Sequence, residues 1–472
     1  MPLIYVGTCI LLMLFLLLVV KLDAFLSILI TTFAVGLFNG MNIIDILDSL
    51  LNGIGNTMGK IILILAFGTM LGKLIEESGA AHTIIYRLVE IFGLKNIQYV
   101  ILATGFLVGL PMMYNASFLV LIPFIYTLSS TTKLPLIYLG IPLSATLSIA
   151  HAYLPPHPAP TYVSLIYGAN INSVLLIGLI PVIPACLIAG ILHSKFFKNL
   201  NAKPPIGLHE EKHFEKSELP GLGISIFTML TPVLLMLAGA IVDLFCGIPP
   251  LKAELIKQGI SLTDFYIKLF TANGYSVCTA SFMAKLVLVT KFFSDANIAL
   301  MMAVLLGIYN LGIRQGKKIS EIVKLLNKSV NAIAMIILII SAGGGFSQIL
   351  RDSQVSTYIA EIAKYINFNP LILSFSVAAI MRLAIGSATV ATMTAAPIML
   401  PVAIQTGTSP ELMVLATGSG SLMFSHFNDV GFWMFKEYYN VSVRQTFAIW
   451  TVMECLVAFV GLTTAILLDM FM

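Results

Sequence analysis

The chain has 472 residues, of which 58% are hydrophobic and 10% are charged, and its formal net charge is +4. Soluble domains carry roughly 25% charged residues, so this composition excludes an ordinary soluble enzyme and a disordered chain and indicates a membrane protein. The small net charge gives no sign of nucleic-acid binding. The five cysteines form no CxxC motif, so we expect neither a metal centre nor a disulfide framework, and no sequence motif calls for a cofactor.

Apolar segments of the length that a membrane-spanning helix needs, about 20 residues, follow one another along the first 193 residues. Spans are predicted at 3–20, 23–40, 57–77 and 173–193. Segment 97–130 is too short for two crossings and is interrupted by Gly109 and Pro111, so it predicts a re-entrant hairpin. Segment 134–167 predicts a broken helix, because four prolines between positions 155 and 160 cannot all continue a helix.

A polar linker, 194–222, leads to the second half of the chain, 223–472. Here we predict spans at 223–246, 295–312, 329–350 and 443–469, a second hairpin over 371–405 and a second broken helix over 409–438. Residues 250–292 form an insertion. Its part 262–292 is only moderately apolar and is expected to lie outside as an amphipathic or re-entrant segment.

The two halves resemble one another at a constant offset of 275 residues: Asn56 meets Asn331, Pro135 meets Pro410, Ser144 meets Ser419, and His151 meets His426. Segment 314–328 carries five basic residues, whereas its counterpart 39–53 carries none. Because Lys and Arg concentrate in cytoplasmic loops, equivalent segments should face opposite sides, with both termini outside. We therefore predict an all-α multi-pass membrane protein built from two inverted-topology repeats, 1–193 and 223–472.

Broken helices at matching positions of inverted repeats point to a transport site, since unwound backbone inside a membrane is tolerated where it is buried in protein or lines a cavity. The alternative is a pair of structural kinks. A helix that starts at a hairpin tip would offer free N–H groups to an anion. The candidate substrate-binding residues at the breaks and tips are Asn115, Ser117, Ser144, Ser148, His151, His157, Arg382, Ser387, Thr389, Ser419, His426 and Asn428.

Titratable residues inside apolar segments are costly and are often functional. Arg382 would either bind a carboxylate or anchor the base of the second hairpin. Asp429, His151 and His426 are the candidates for coupling transport to a cation. Asp429 could instead cap the following helix, and the two histidines could be core residues.

Three stretches, 154–158, 382–391 and above all Phe424–Tyr438, resemble the gluconate permease family, the gluconate:proton symporters of the ion-transporter superfamily. The resemblance covers nearly the whole chain except the insertion. It implies a secondary active transporter of a prokaryotic inner membrane that imports gluconate or a related hydroxy-carboxylate with a cation, expected to be a proton. The implied partners are that anion, the cation and the lipid bilayer, and a homo-oligomer is left open.

One departure from the family concerns Asn115. Many members have an acidic residue in a Tyr-Glu-Val-Gly-Phe stretch, where this chain has Tyr114-Asn-Ala-Ser-Phe118. Since Asn115 cannot carry a proton, another group or another ion would have to couple transport. The alternatives left open are another small acid such as D-serine, sodium coupling, a passive anion channel, and a membrane-embedded metalloenzyme using His151, His157 and His426.

Overall fold

The structure is a computed structural model that describes residues 8–471 apart from 10, 14, 17–18, 201, 206–218, 247–259, 332 and 356–367. The helices of the first half are α1 (Ala24–Phe38), α2 (Ile43–Ser78), α3 (Ala80–Phe92), α4 (Ile97–Gly109), α5 (Tyr114–Thr132), α6 (Leu136–Tyr153), α7 (Pro158–Tyr167), α8 (Ile171–Leu179) and α9 (Val182–Lys195). The predicted span 3–20 lies partly outside the described residues.

The described secondary structure of the second half also consists of helices. Its helices are α10 (Leu222–Cys246), α11 (Leu262–Ala272), α12 (Val277–Ser294), α13 (Ala296–Gln315), α14 (Ile319–Asn331), α15 (Ala334–Asp352), α16 (Pro370–Ile385), α17 (Ala388–Thr406), α18 (Pro410–Gly420), α19 (Val430–Tyr438) and α20 (Val443–Asp469).

Eight of the described helical segments are long and apolar enough to cross a membrane, and ten if the bent pairs α3–α4 and α8–α9 each count as one span. The predicted all-α multi-pass class is therefore confirmed. The broken segment Leu136–Tyr167 is the most enclosed of these spans, with 89% of its apolar window buried, whereas 22% of the α12 window is buried. This contrast puts the first broken helix at the centre of the molecule.

Both predicted hairpins and both predicted broken helices coincide with helix pairs. Hairpin one is α4 and α5 around the tip 110–113, and hairpin two is α16 and α17 around the tip 386–387. The first broken helix is interrupted at 154–157, between α6 and α7. The second broken helix is interrupted at 421–429, between α18 and α19. The re-entrant course of the hairpins and the inversion of the repeats stay predictions.

The structure adds to the sequence prediction at two places. Helix α2 runs for 36 residues from Ile43, so most of the predicted loop 39–53 is helical; Asn42 caps its start by accepting a hydrogen bond from the Ile44 N–H at 3.2 Å. The segment 262–292 forms α11 and α12, and α12 is long and apolar enough to span the bilayer. The placement of 262–292 outside the membrane stays a prediction.

Helices α2 and α15 cross at a point where glycines replace side chains. A Cβ atom on Gly53 would lie 2.5 Å from the carbonyl oxygen of Gly344, and one on Gly344 would lie 2.2 Å from Oγ1 of Thr57. Small residues at such a crossing let two helix backbones approach closely, and van der Waals packing then holds them together in lipid. This contact links the early helices of the two halves.

Hairpin two packs closely against the second broken helix. A Cβ atom on Gly420 would lie 2.2 Å from the carbonyl oxygen of Phe375 on α16, and one on Gly418 would lie 2.5 Å from the carbonyl oxygen of Ala152 on α6. Thr417 and Ser374 also form a hydroxyl hydrogen bond of 2.6 Å between α18 and α16. The two breaks and hairpin two are thus held in one packed group.

Candidate functional site

A cavity of about 570 Å³ lies where the two hairpin tips approach α6, the second break and α20. Ligand pockets of this kind commonly measure about 300–1,000 Å³, so the cavity can hold a small organic molecule. Eight of the residues predicted from the sequence line it: Asn115, Ser148, His151, Arg382, Ser387, Thr389, Asn428 and Asp429.

Arg382 anchors the second break to hairpin two. Its guanidinium donates hydrogen bonds to the carbonyl oxygen of Gly386 at the tip and to Oδ2 of Asp429. The side chain of Arg382 is 3% exposed and that of Asp429 is 13% exposed. An ion pair this deeply buried is costly to break by removing one partner. The Nε atom of Arg382 has no hydrogen-bond partner, so this side of the guanidinium takes no part in the contacts with Gly386 and Asp429.

The carboxylate of Asp429 accepts several hydrogen bonds at once. Besides Arg382, it accepts hydrogen bonds from Oγ of Ser425 at 2.5 Å and from the backbone N–H of Gly431 at 2.9 Å. The latter bond caps the start of α19. Asp429 therefore has the capping role that the sequence left open, and it also lines the cavity.

The start of α17 faces the cavity. Its N-cap Ser387 and its first residues Ala388 and Thr389 line the cavity, and the first N–H groups of a helix have no partner within the helix. Gly386 precedes them with φ +78°, and a Cβ atom there would lie 2.2 Å from the carbonyl oxygen of Asn428. Glycine is therefore required at this turn. The positive end of the helix dipole favours an anion at this point.

Polar groups of both halves lie around the start of α17. Nε2 of His151 lies 3.1 Å from Oγ1 of Thr389, in hydrogen-bond contact, and Nδ1 of His151 has no partner. Asn428 donates from Nδ2 to the carbonyl oxygen of Leu383 at 2.9 Å, while its Oδ1 has no partner. The cavity thus combines unsatisfied donors and acceptors with a helix N-terminus.

A second, smaller cavity of about 240 Å³ lies on the other side of the tip of hairpin one. His157 lines this second cavity, as do Lys73 and Glu76 of α2. Met113 and Ala116 line both cavities, so the start of α5 forms part of the wall between them. The rings of His151 and His157, one on each side, have centroids 5.0 Å apart.

Comparison with known proteins gives the family. Residues 1–471 match the sequence profile described as GntP family permease. The chain belongs to this family. The permease is therefore a membrane transport protein and not an enzyme, as the resemblance in its sequence implied.

Two relatives and one solved structure illustrate these likenesses. The permease is 37% identical to the high-affinity gluconate transporter of Escherichia coli (strain K12) over the full length of both chains. It is 38% identical to the Gnt-II system L-idonate transporter of the same organism over 98% of each chain. The structure of MtrF from Neisseria gonorrhoeae matches with a TM-score of 0.61 and 14% identity, and the match covers 93% of both chains. At this identity, MtrF shows a shared fold alone.

Five of the predicted site residues do not line the main cavity of the permease. Ser117 and Ser419 are buried and donate hydrogen bonds to the carbonyl oxygens of Met113 and Leu415. Ser144 is also buried within the protein, and His157 belongs to the second cavity. His426 packs its ring edge-to-face against Phe427 at 4.6 Å between centroids.

Three lining residues of the permease with polar groups on their side chains were missed by the sequence analysis: Tyr114, Trp450 and Glu454. Ser148 donates a hydrogen bond to Oε1 of Glu454 at 2.5 Å. Trp450 donates from Nε1 to Oγ of Ser425 at 2.7 Å and so supports the second break. A signal for Glu454 was available, since it is a carboxylic acid in the middle of the last apolar span.

Metal binding finds no support in the part of the chain that the structure describes. No group of three or more His, Cys, Asp or Glu side chains lies close enough there to hold a metal ion. The sequence does contain the H-E-x-x-H spacing of zinc peptidases, at 209–213 in the polar linker. That motif falls outside the described residues.

Proposed function

We propose that the protein is a secondary active transporter of the inner membrane that imports gluconate or a closely related sugar acid by symport with protons. The observation that carries this proposal is the meeting, in one cavity, of the start of α17, Arg382 and several uncharged polar side chains. The names of the full-length relatives, a gluconate and an L-idonate transporter, support the substrate class.

A hydroxy-carboxylate has two recognisable parts, and the cavity has groups suited to each. The carboxylate would bind at the N–H groups of α17, beside the unused Nε of Arg382, because the helix dipole and the guanidinium both favour negative charge. The hydroxyl groups would exchange hydrogen bonds with Asn115, Ser148, His151 and Asn428 around the same cavity. A mostly apolar pocket with a few convergent polar groups is typical of small-molecule sites.

Transport would require the cavity to open to each side in turn. We expect the two hairpins and broken helices, which pack together, to move against a scaffold that includes α2 and α15. The glycine crossing of those two helices gives the scaffold a tight contact. In this arrangement the wall at Met113 and Ala116 would separate the bound substrate from the second cavity. The linker 194–222 would be cytoplasmic and both termini outside.

The test is uptake of labelled gluconate by purified protein in liposomes. A pH gradient, acidic outside, should drive accumulation, and a protonophore should abolish it. A sodium gradient imposed at equal pH tests whether sodium, rather than a proton, drives uptake. Competition by L-idonate and D-serine would define the substrate class. Failure to take up any sugar acid under either gradient would contradict the proposal, and uptake that ignores both gradients would favour the passive channel.

A further inference from the structure

We propose that Glu454 carries the coupling proton of this transporter. The assignment rests on the proposed function, and it names a group outside the three coupling candidates of the sequence analysis. Glu454 lies in the middle of α20, is 1% exposed and lines the main cavity. It is therefore buried within the protein and yet in contact with the space where the substrate would bind.

The hydrogen bonding of Glu454 is incomplete. Oε1 accepts the hydrogen bond from Ser148, whereas Oε2 is buried and has no hydrogen-bond partner. A buried polar atom without a partner is costly, and a carboxyl oxygen can remove this cost by binding a proton and then donating to a ligand or water. Ser148 can serve either state of Glu454, because its hydroxyl both donates and accepts.

Asp429, the other carboxyl group among the described residues that line the cavity, is already committed. Arg382, Ser425 and the N–H of Gly431 all donate to it. Protonation of Asp429 would weaken the bond that holds the second break to hairpin two. No Lys or Arg among the described residues forms an ion pair with Glu454. Glu454 is thus the acid that can change charge without breaking the anchor.

The surroundings of Glu454 contain one cation, one anion and several neutral groups. Arg382 on α16 and Asp429 in the second break act on it electrostatically, with opposite sign. Other titratable side chains on elements packed around it include His151 and Tyr153 on α6, Tyr114 at the start of α5, Cys186 and His193 on α9, and Cys455 beside it on α20. Glu411 of α18 lies at the start of that helix, where it accepts from the N–H of Asn170.

This arrangement explains how a proton and an anion would bind together. Arg382 and Asp429 cancel in charge, so the ionisation of Glu454 decides whether the cavity wall carries a negative charge. An ionised Glu454 repels a carboxylate in the same cavity, and a protonated one does not. Each ligand therefore favours binding of the other, and this coupling is reciprocal. The proton taken up with the substrate on one side leaves with it on the other.

The experiment compares wild-type protein, Glu454→Gln and the control Asp469→Asn in liposomes. Glutamine keeps an oxygen for the Ser148 hydrogen bond but cannot exchange a proton. Asp469 lies at the exposed end of the same helix, so its variant controls for loss of a carboxyl group on α20. Two transport assays are needed beside a binding measurement: accumulation of labelled gluconate driven by a pH gradient, and exchange of labelled for unlabelled gluconate at equal pH.

We expect Glu454→Gln to lose accumulation and to keep exchange, and its gluconate binding, measured by thermal shift, should no longer depend on pH. Asp469→Asn should behave as wild type in all three measurements. Accumulation by Glu454→Gln equal to wild type would overturn the assignment. So would loss of both exchange and binding by a folded Glu454→Gln protein, which would make Glu454 a binding or structural residue. No uptake by the wild-type protein would instead overturn the proposed function.

Discussion

The two broken helices share a plan and differ in chemistry. The first break, 154–157, has four residues, all buried and none of them Asp, Glu, Lys or Arg. The second break, 421–429, is longer and contains Ser425 and Asp429, both bonded to other parts of the site. The hairpin tips differ in the same way: tip one, 110–113, is apolar, whereas Gly386 at tip two accepts a hydrogen bond from Arg382.

This difference indicates a division of labour between the halves. The second half supplies the ion pair, the helix N-terminus at the tip and the buried acid Glu454. The first half supplies a dense wall with a few polar groups, among them Ser148 and His151. The two halves therefore repeat their helices without repeating their functional side chains, because the cavity is lined by different residue types from each half. The following predictions test this contrast, beginning with the largest expected effect.

Replacement of Arg382 by Gln should abolish gluconate uptake. The change removes the guanidinium beside the start of α17 and leaves Asp429 as a buried charge without its cation. Loss of one partner from a buried ion pair costs about 3–5 kcal/mol, so the melting temperature in detergent should also fall. Asp429→Asn should lose stability for the same reason, whereas the double variant should regain stability without regaining transport.

The control for Arg382 is Arg87→Gln on α3. Arg87 is 60% exposed and pairs with Glu90 on the surface, and such exposed pairs contribute about 0–1 kcal/mol. Its variant should keep both uptake and melting temperature. If Arg382→Gln transported gluconate as well as Arg87→Gln does, the charged anchor would not belong to the transport site.

Variants of His151 and His426 test whether the importance of a residue for transport follows from its position in the repeat or from its contact with the cavity. His151→Ala removes a hydrogen-bond contact with Thr389 and a lining group of the cavity, so we expect transport efficiency to fall about tenfold, in line with one lost hydrogen bond of about 1–1.5 kcal/mol. His426→Ala should stay near wild type, because His426 does not line the cavity. Initial uptake rates over a range of gluconate concentrations provide the measurement. Equal losses in both variants would show that repeat symmetry predicts function better than cavity contact does.

The backbone plan could be predicted from sequence because its signals are local. Clustered prolines at 155–160 cannot all continue a helix, and Gly386 permits the positive φ at which α16 ends. The start of α2 was missed because Asp45, Asp48 and Gly53 resemble a loop, although Asn42 is a recognisable cap. Here the long-range contact of Gly53 with α15 explains why glycine occurs inside a helix.

The site was only partly predictable, because cavity contact depends on rotation about each helix axis and on packing. Ser144 and Ser148 are one turn apart on α6, yet only Ser148 lines the cavity. The repeat offset paired His151 with His426, but the longer second break directs His426 elsewhere. Arg382 was noticed as an intramembrane charge, and Glu454 would have been found by applying the same reasoning to the last span.

The smallest of these effects is expected at the hairpin tips. Ser387 lines the cavity and caps α17 by accepting from the N–H of Val390 at 3.4 Å, and loss of a cap typically costs about 1 kcal/mol. Ser387→Ala should therefore raise the KM for gluconate several-fold and lower the melting temperature slightly. Ser117→Ala on hairpin one is the matched control, since Ser117 is buried away from the cavity and donates to the carbonyl oxygen of Met113. An unchanged KM for Ser387→Ala, or an equal rise for Ser117→Ala, would mean that the two tips do not differ in substrate contact and that the charge asymmetry between the halves serves stability alone.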